Sequence, residues 1–153
     1  MKSNRAVVLA IVLGGLIAGT LDIAAAMLIN HAHAEPILRF IASGLLGKAA
    51  LKGDMQTAAI GMLLQWLMSL IIAAVFVLAS LRLPILRRLW IPAGLAYGVV
   101  VFAVMEYVVQ PLSAIHRVPH FTPESLAKNL AAMLVFGLIV AGTAHFQLGS
   151  GKR

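Results

Sequence analysis

The 153-residue chain contains no cysteine and only five acidic side chains. Without thiols it can form no disulfide, iron–sulfur cluster, thiolate zinc site or cysteine nucleophile. Charged residues make up 11% of the sequence, too few to cover a soluble domain. Also missing are a glycine-rich phosphate loop, a nucleophile elbow, an HExxH pair and paired carboxylates in an aqueous domain. Enzyme chemistry therefore has little footing. No ten-residue alternating pattern of a membrane strand appears either, which leaves helices as the way to satisfy a backbone in lipid.

What is present is apolar. Hydrophobic residues form 61% of the chain, and four long, mostly apolar runs stand out at residues 6–29, 57–81, 89–109 and 126–147. Each is close to the roughly 20 residues that a spanning helix needs. The expectation is an all-α membrane protein: a single four-transmembrane-helix bundle over residues 1–153. Asp54 suits the cap of the second helix, and Thr122-Pro123-Glu124 supplies a cap, a first-turn proline and a favourable acid for the fourth. Pro111 is expected to close the third.

The net charge of +7 would suggest nucleic acid in a soluble protein. Here the basic residues flank apolar runs, so the expected partner is the lipid bilayer and its anionic headgroups, not nucleic acid. Lys2, Arg5, Arg82, Arg87, Arg88, Lys152 and Arg153 fall on one side of the four spans, and Arg39, Lys48, Lys52, Arg117 and Lys128 on the other. Seven against five places both termini in the cytoplasm. "AHA" before Glu35 resembles a signal-peptidase site, but its apolar region is 24 residues against roughly 7–15 for a signal peptide, and it holds Asp22. A retained first span is the expectation.

Between the first two spans, "PILRFIASGLLGKAALKG" is too short to cross and too apolar for an ordinary loop. It reads as a short interfacial or re-entrant helical segment, broken near Gly44 and Gly47. The backbone cost of irregular structure at depth favours the interfacial form. A weak internal repeat also shows. "GLIAG" and "GLAYG" open the first and third spans, and each span leads to a proline-containing loop with two histidines.

"GLIAGTLDIA" followed by "IASGLLGKAA", with "QPLSA" after the third span, resembles a group of short bacterial integral membrane proteins of unknown function, loosely the YagU-like proteins. The likeness extends in outline across all four spans. It implies a four-helix protein of the bacterial inner membrane and carries no activity with it.

Asp22 is the first polar residue to explain. A carboxylate at membrane depth costs at least about 2.5–3.5 kcal/mol, so it normally faces the bundle interior. On a helical wheel Asp22 shares a stripe with Gly15, Gly19 and Ala26, which suits close helix contact. Gly94 and Gly98 offer the same spacing in the third span. Such glycines serve packing within one bundle, or between protomers of a homo-oligomer or a membrane complex. Glu106 shares a stripe with Ala96, Val99, Ala103 and Gln110, expected to face inward.

Asp22 lies about 10 Å and Glu106 about 5 Å from the same ends of their spans, while Gln65 enters about 12 Å from that side. Asn129 opens the fourth span there. Each helix thus delivers a polar group to one outer-half layer. The bland explanation is interhelical glue, with hydrogen bonds of roughly 0.6 kcal/mol each. Glue accounts for Gln65 and Asn129. It accounts less well for two acids, where asparagine would serve without an ionisation penalty. A proton or cation site is the functional alternative.

His31, His33, His116 and His120 fall on the same outer side and are candidate metal ligands, with Glu35 as a helper. Their spacing is poor, since an i, i+2 pair aligns only on extended chain and Pro119 disfavours helix between His116 and His120. No cofactor is expected beyond a metal at these histidines. His145, near the opposite face, is expected to snorkel or to cap the end of the fourth helix. A small transport-related or proton-responsive protein is the leading expectation. A non-catalytic accessory subunit or scaffold follows, and a lipid-modifying enzyme using Asp22 and Glu106 comes third.

Overall fold

The computed structural model describes residues 4–149. The helices are α1 (Asn4–Asn30), α2 (Ala34–Leu46), α3 (Met55–Arg82), the single turn α4 (Ile85–Arg88), α5 (Trp90–Leu112) and α6 (Pro123–Gly149). No strand occurs among the described residues. Helices α1, α3, α5 and α6 are long and apolar enough to cross a membrane.

Caps follow local chemistry. Asp54 precedes α3 in extended conformation and accepts the Thr57 N–H at 3.1 Å, satisfying one of the donors that a helix start leaves open. Thr122 does the same for α6, accepting the Ser125 N–H at 3.1 Å. The Thr57 N–H holds the Asp54 carboxyl below its ordinary value. A depressed folded value means the cap's contribution is present at neutral pH and is lost as acid protonates Asp54 below the ordinary carboxylate range. Amide exchange at Thr57 should therefore lose protection on acidification, and Asp54→Asn, an equally good cap, should flatten the profile. A flat profile in the wild type would sink this account.

Order within the bundle comes from where side chains are small. Gly15 and Gly19 of α1 meet α3 at Leu70 and Ser69, and Gly94 and Gly98 of α5 meet α6 along Gly137 and Met133. The glycine pair of each half thus seats its helix on the following long helix. Helix α1 also packs along α6, joining the two pairs. At the end bearing α4, Ala10, Phe76, Val77, Val140, Ala144 and Leu148 form a closed core. Tyr97 donates to the Ile72 carbonyl at 2.7 Å and its ring lies 5.0 Å from Phe76, closing α5 against α3. Outward faces carry Leu63, Val75, Val99 and Val135, each about half exposed or more.

Four expectations need correction. The segment after α1 is one helix and a five-residue 3-10 turn, and it breaks at Gly47 alone, whose φ of +82° favours glycine. It docks on α3, where Gly61 leaves room for the Leu38 carbonyl. Pro111 does not close the third span. The helix runs on to Leu112 because a π turn over Met105–Val109 precedes the proline, with the Gln110 N–H reaching the Met105 carbonyl. That wider turn moves the carbonyl a proline ring would strike.

Ala96, Val99 and Ala103 face outward, whereas Gly94, Gly98, Val101 and Phe102 form the buried face of α5. Nor does His145 cap α6. Its Nδ1 lies 2.7 Å from the Arg87 carbonyl, and the Arg87 Nη1 donates to the Leu148 carbonyl at 3.0 Å. Arginine reaches the helix end because its fork spans the gap from α4.

Candidate functional site

The glycine contacts hold α1 close to α3 and α5 close to α6, but toward the α2 end the helices diverge. A cavity of about 490 Å³ opens there, lined by Asp22, Gln65, Glu106, Gln110 and Asn129 among others. Each long helix contributes at least one of these five.

Asp22 sits one turn beyond Gly19, on the face that α3 approaches. The Gln65 Nε2 donates to Asp22 Oδ2 at 3.0 Å and to the Gly19 carbonyl at 3.2 Å. Both amide hydrogens are thereby used, which fixes the glutamine across the α1–α3 seam. Trp66 supports the same seam, donating its Nε1 to Thr20 Oγ1 at 3.1 Å. Asn129 turns back on its own helix, donating to the Ser125 carbonyl at 2.8 Å and to Ser125 Oγ at 3.3 Å. It lines the cavity without bridging helices.

Glu106 stands in the π turn. Its Oε2 is buried and accepts no hydrogen bond from the described residues. A buried acceptor without a donor costs roughly 1–3 kcal/mol. The Arg117 cation, the hydrogen-bonding side chain of Gln110 and the Asp22 acid stand around its carboxyl group. Gln110, whose N–H reaches the Met105 carbonyl across this turn, lines the same cavity on the inward stripe expected for it with Glu106.

Sequence reasoning missed the cavity's mouth. Arg117 comes from the loop after α5, donates to Gln110 Oε1 at 3.2 Å and lies 5.2 Å over the Phe40 ring of α2. The Ala114 N–H donates to the Gly44 carbonyl at 2.9 Å, and Phe121 packs 5.7 Å from Phe102. Loop and α2 thus close on each other over the acids. The available signal was Arg117 itself, the one charged residue between Glu106 and Glu124.

His31, His33, His116 and His120 have exposed side chains. Among the described residues no three His, Asp or Glu side chains gather as a metal group. His31 and His116 instead hold positive φ angles of 49° and 51° in the turns that end α1 and α5. Histidine is among the side chains enriched in that left-handed region. Each half of the weak repeat therefore uses a histidine to turn the chain.

Compared with protein-family models, curated proteins and solved structures, the chain matches none of them.

Proposed function

We propose that the protein is a small transport-related or proton-responsive protein of the bacterial inner membrane, with Asp22 and Glu106 as its proton or cation site. The carrying observation is that two acids from different helices line one cavity, and Glu106 Oε2 meets no donor there. Gln110 and Arg117 serve that carboxyl in part, and a proton on it, or a cation against it, answers the remaining oxygen. Gln65 holds Asp22 in place, and Arg117 balances charge at the mouth. The exposed Leu and Val faces support residence in lipid, since a water-soluble monomer rarely shows so much contiguous apolar surface. Both termini lie in the cytoplasm in this reading and the cavity opens outward. Reporter fusions after His120 and Arg153 should report opposite sides, and an external Arg153 would reverse the orientation.

The functional test is proton movement. Purified protein in liposomes with an internal pH dye should carry protons down an imposed gradient. Asp22→Asn and Glu106→Gln should retain helix content and monodispersity and lose the flux, because an amide does not exchange a proton in the physiological range. Flux equal to that of empty liposomes in the wild type, or unchanged flux in both variants, would refute the site.

A further inference from the structure

Two cavities meet at Asp22. The polar cavity shares Asp22, Ile29, Ala132 and Phe136 with a second cleft of about 340 Å³ between α1 and α6. Leu21, Val135 and Ile139 help to wall that cleft. Leu21 is 49% and Val135 52% exposed, so the cleft opens on the outer face of the bundle. A polar chamber and a greasy one thus share a carboxyl at their join.

We propose that the joined cavities bind an amphiphilic amine, its ammonium group at Asp22 and Glu106 and its apolar chain in the α1–α6 cleft. The proposal rests on the cation-site reading above and adds the class of ligand. Charge favours a cation: the chamber holds two acids and has Arg117 at its rim. Lys128, on the cleft, is engaged by Glu124 at 2.6 Å. An ammonium group brings three donors, which answers the unpartnered Glu106 Oε2. Arg117 over Phe40 shows that the aromatic wall already accepts a cation. A bare metal ion fits less well. It needs about six crowded oxygens, whereas Gln65 turns its N–H₂ group toward Asp22. The polar chamber's volume also suits an organic ligand, for which pockets run about 300–1,000 Å³.

The amine can belong to a lipid headgroup or to a free amphiphile, and the test separates them. Protein in nanodiscs of phosphatidylglycerol, which lacks an amine, is titrated with butylamine, hexylamine, octylamine and octanol while its melting temperature is followed. Affinity should rise about fourfold per buried methylene along the amines, and octanol should give no comparable shift. Asp22→Asn or Glu106→Gln should weaken octylamine binding by about thirtyfold, the low end for removing one partner of a desolvated charge pair. Ala132→Leu, which narrows the join, should abolish the chain-length dependence along the amines.

Native mass spectrometry from mixed phosphatidylethanolamine and phosphatidylglycerol bilayers then identifies the source. Selective retention of the aminophospholipid identifies a lipid headgroup, and retention of added octylamine alone identifies a free amphiphile. Equal shifts with octanol and octylamine, or wild-type octylamine binding in both acid variants, would overturn the proposal. Amine binding without proton flux removes the transport reading alone. Flux without preference for amines removes the ligand alone.

Discussion

Gly137→Ala is expected to destabilise the bundle by about 3 kcal/mol, the upper part of the range for overpacking a tight contact. A Cβ on Gly137 would collide with the Gly94 carbonyl and come within 2.7 Å of the Gly98 nitrogen and 2.9 Å of its Cα. Those are backbone atoms, so no rotamer can swing aside. Helices α5 and α6 must separate along their whole seam, which with the α1 seam is one of the two main ones that α6 makes. Gly44→Ala provides the opposite sign. Its Cβ would find only Ser113 Cβ, at 3.9 Å, so the helix gains the ordinary alanine advantage of about 0.5–1 kcal/mol. Thermal unfolding of both variants in one detergent checks the pair, and similar midpoints would refute the contact between α5 and α6.

Arg87→Met should cost about 3 kcal/mol, whereas Arg88→Met should stay within about 0.5 kcal/mol. Arg87 donates from Nε to the Ser80 carbonyl at 3.1 Å and from Nη1 to the Leu148 carbonyl at 3.0 Å. It thereby ties the last turns of α3 and α6, and charged donors make the stronger hydrogen bonds. Arg88, next in sequence, is exposed. Both variants remove one positive charge from the same loop, so any effect of charge on insertion is shared. The difference between them isolates the two hydrogen bonds. Amide exchange in the last turn of α6 should accelerate in Arg87→Met alone, and equal behaviour would show that the tie contributes nothing.

Four long helices were legible because their length and apolar composition are both visible in one dimension. Caps at Asp54 and Thr122 were legible for the same reason: they are local. Docking of α2 was not, because a backbone carbonyl at Leu38 enters a space that Gly61 leaves empty, and neither residue signals this by type. The face of α5 was misjudged over Ala96, Val99 and Ala103 since small residues suit an interior and a lipid boundary alike. The same wheel did turn Glu106 and Gln110 inward, and both line the cavity, but a constant angle cannot foresee the π turn between them. Of the cavity, Asp22, Gln65, Glu106 and Asn129 were marked by polarity within apolar runs. Arg117 and Phe40 were not, because they reach it from segments outside the four spans.

For the proposed ion site in a membrane, the closed core at the α4 end has an electrical consequence. Val77, Val140 and Leu148 there have no exposed surface, while the chamber at the other end is lined by amides and carboxyls that hold water readily. A membrane voltage falls mainly across the part that excludes water. The drop is therefore compressed into the packed half, and a charge travelling from the open mouth to Asp22 does little work against the field. The remaining step carries nearly all of the roughly 2.3 kcal/mol per charge that 100 mV supplies. On that reading, binding at the acids is nearly insensitive to voltage, and release through the packed half is steeply dependent on it.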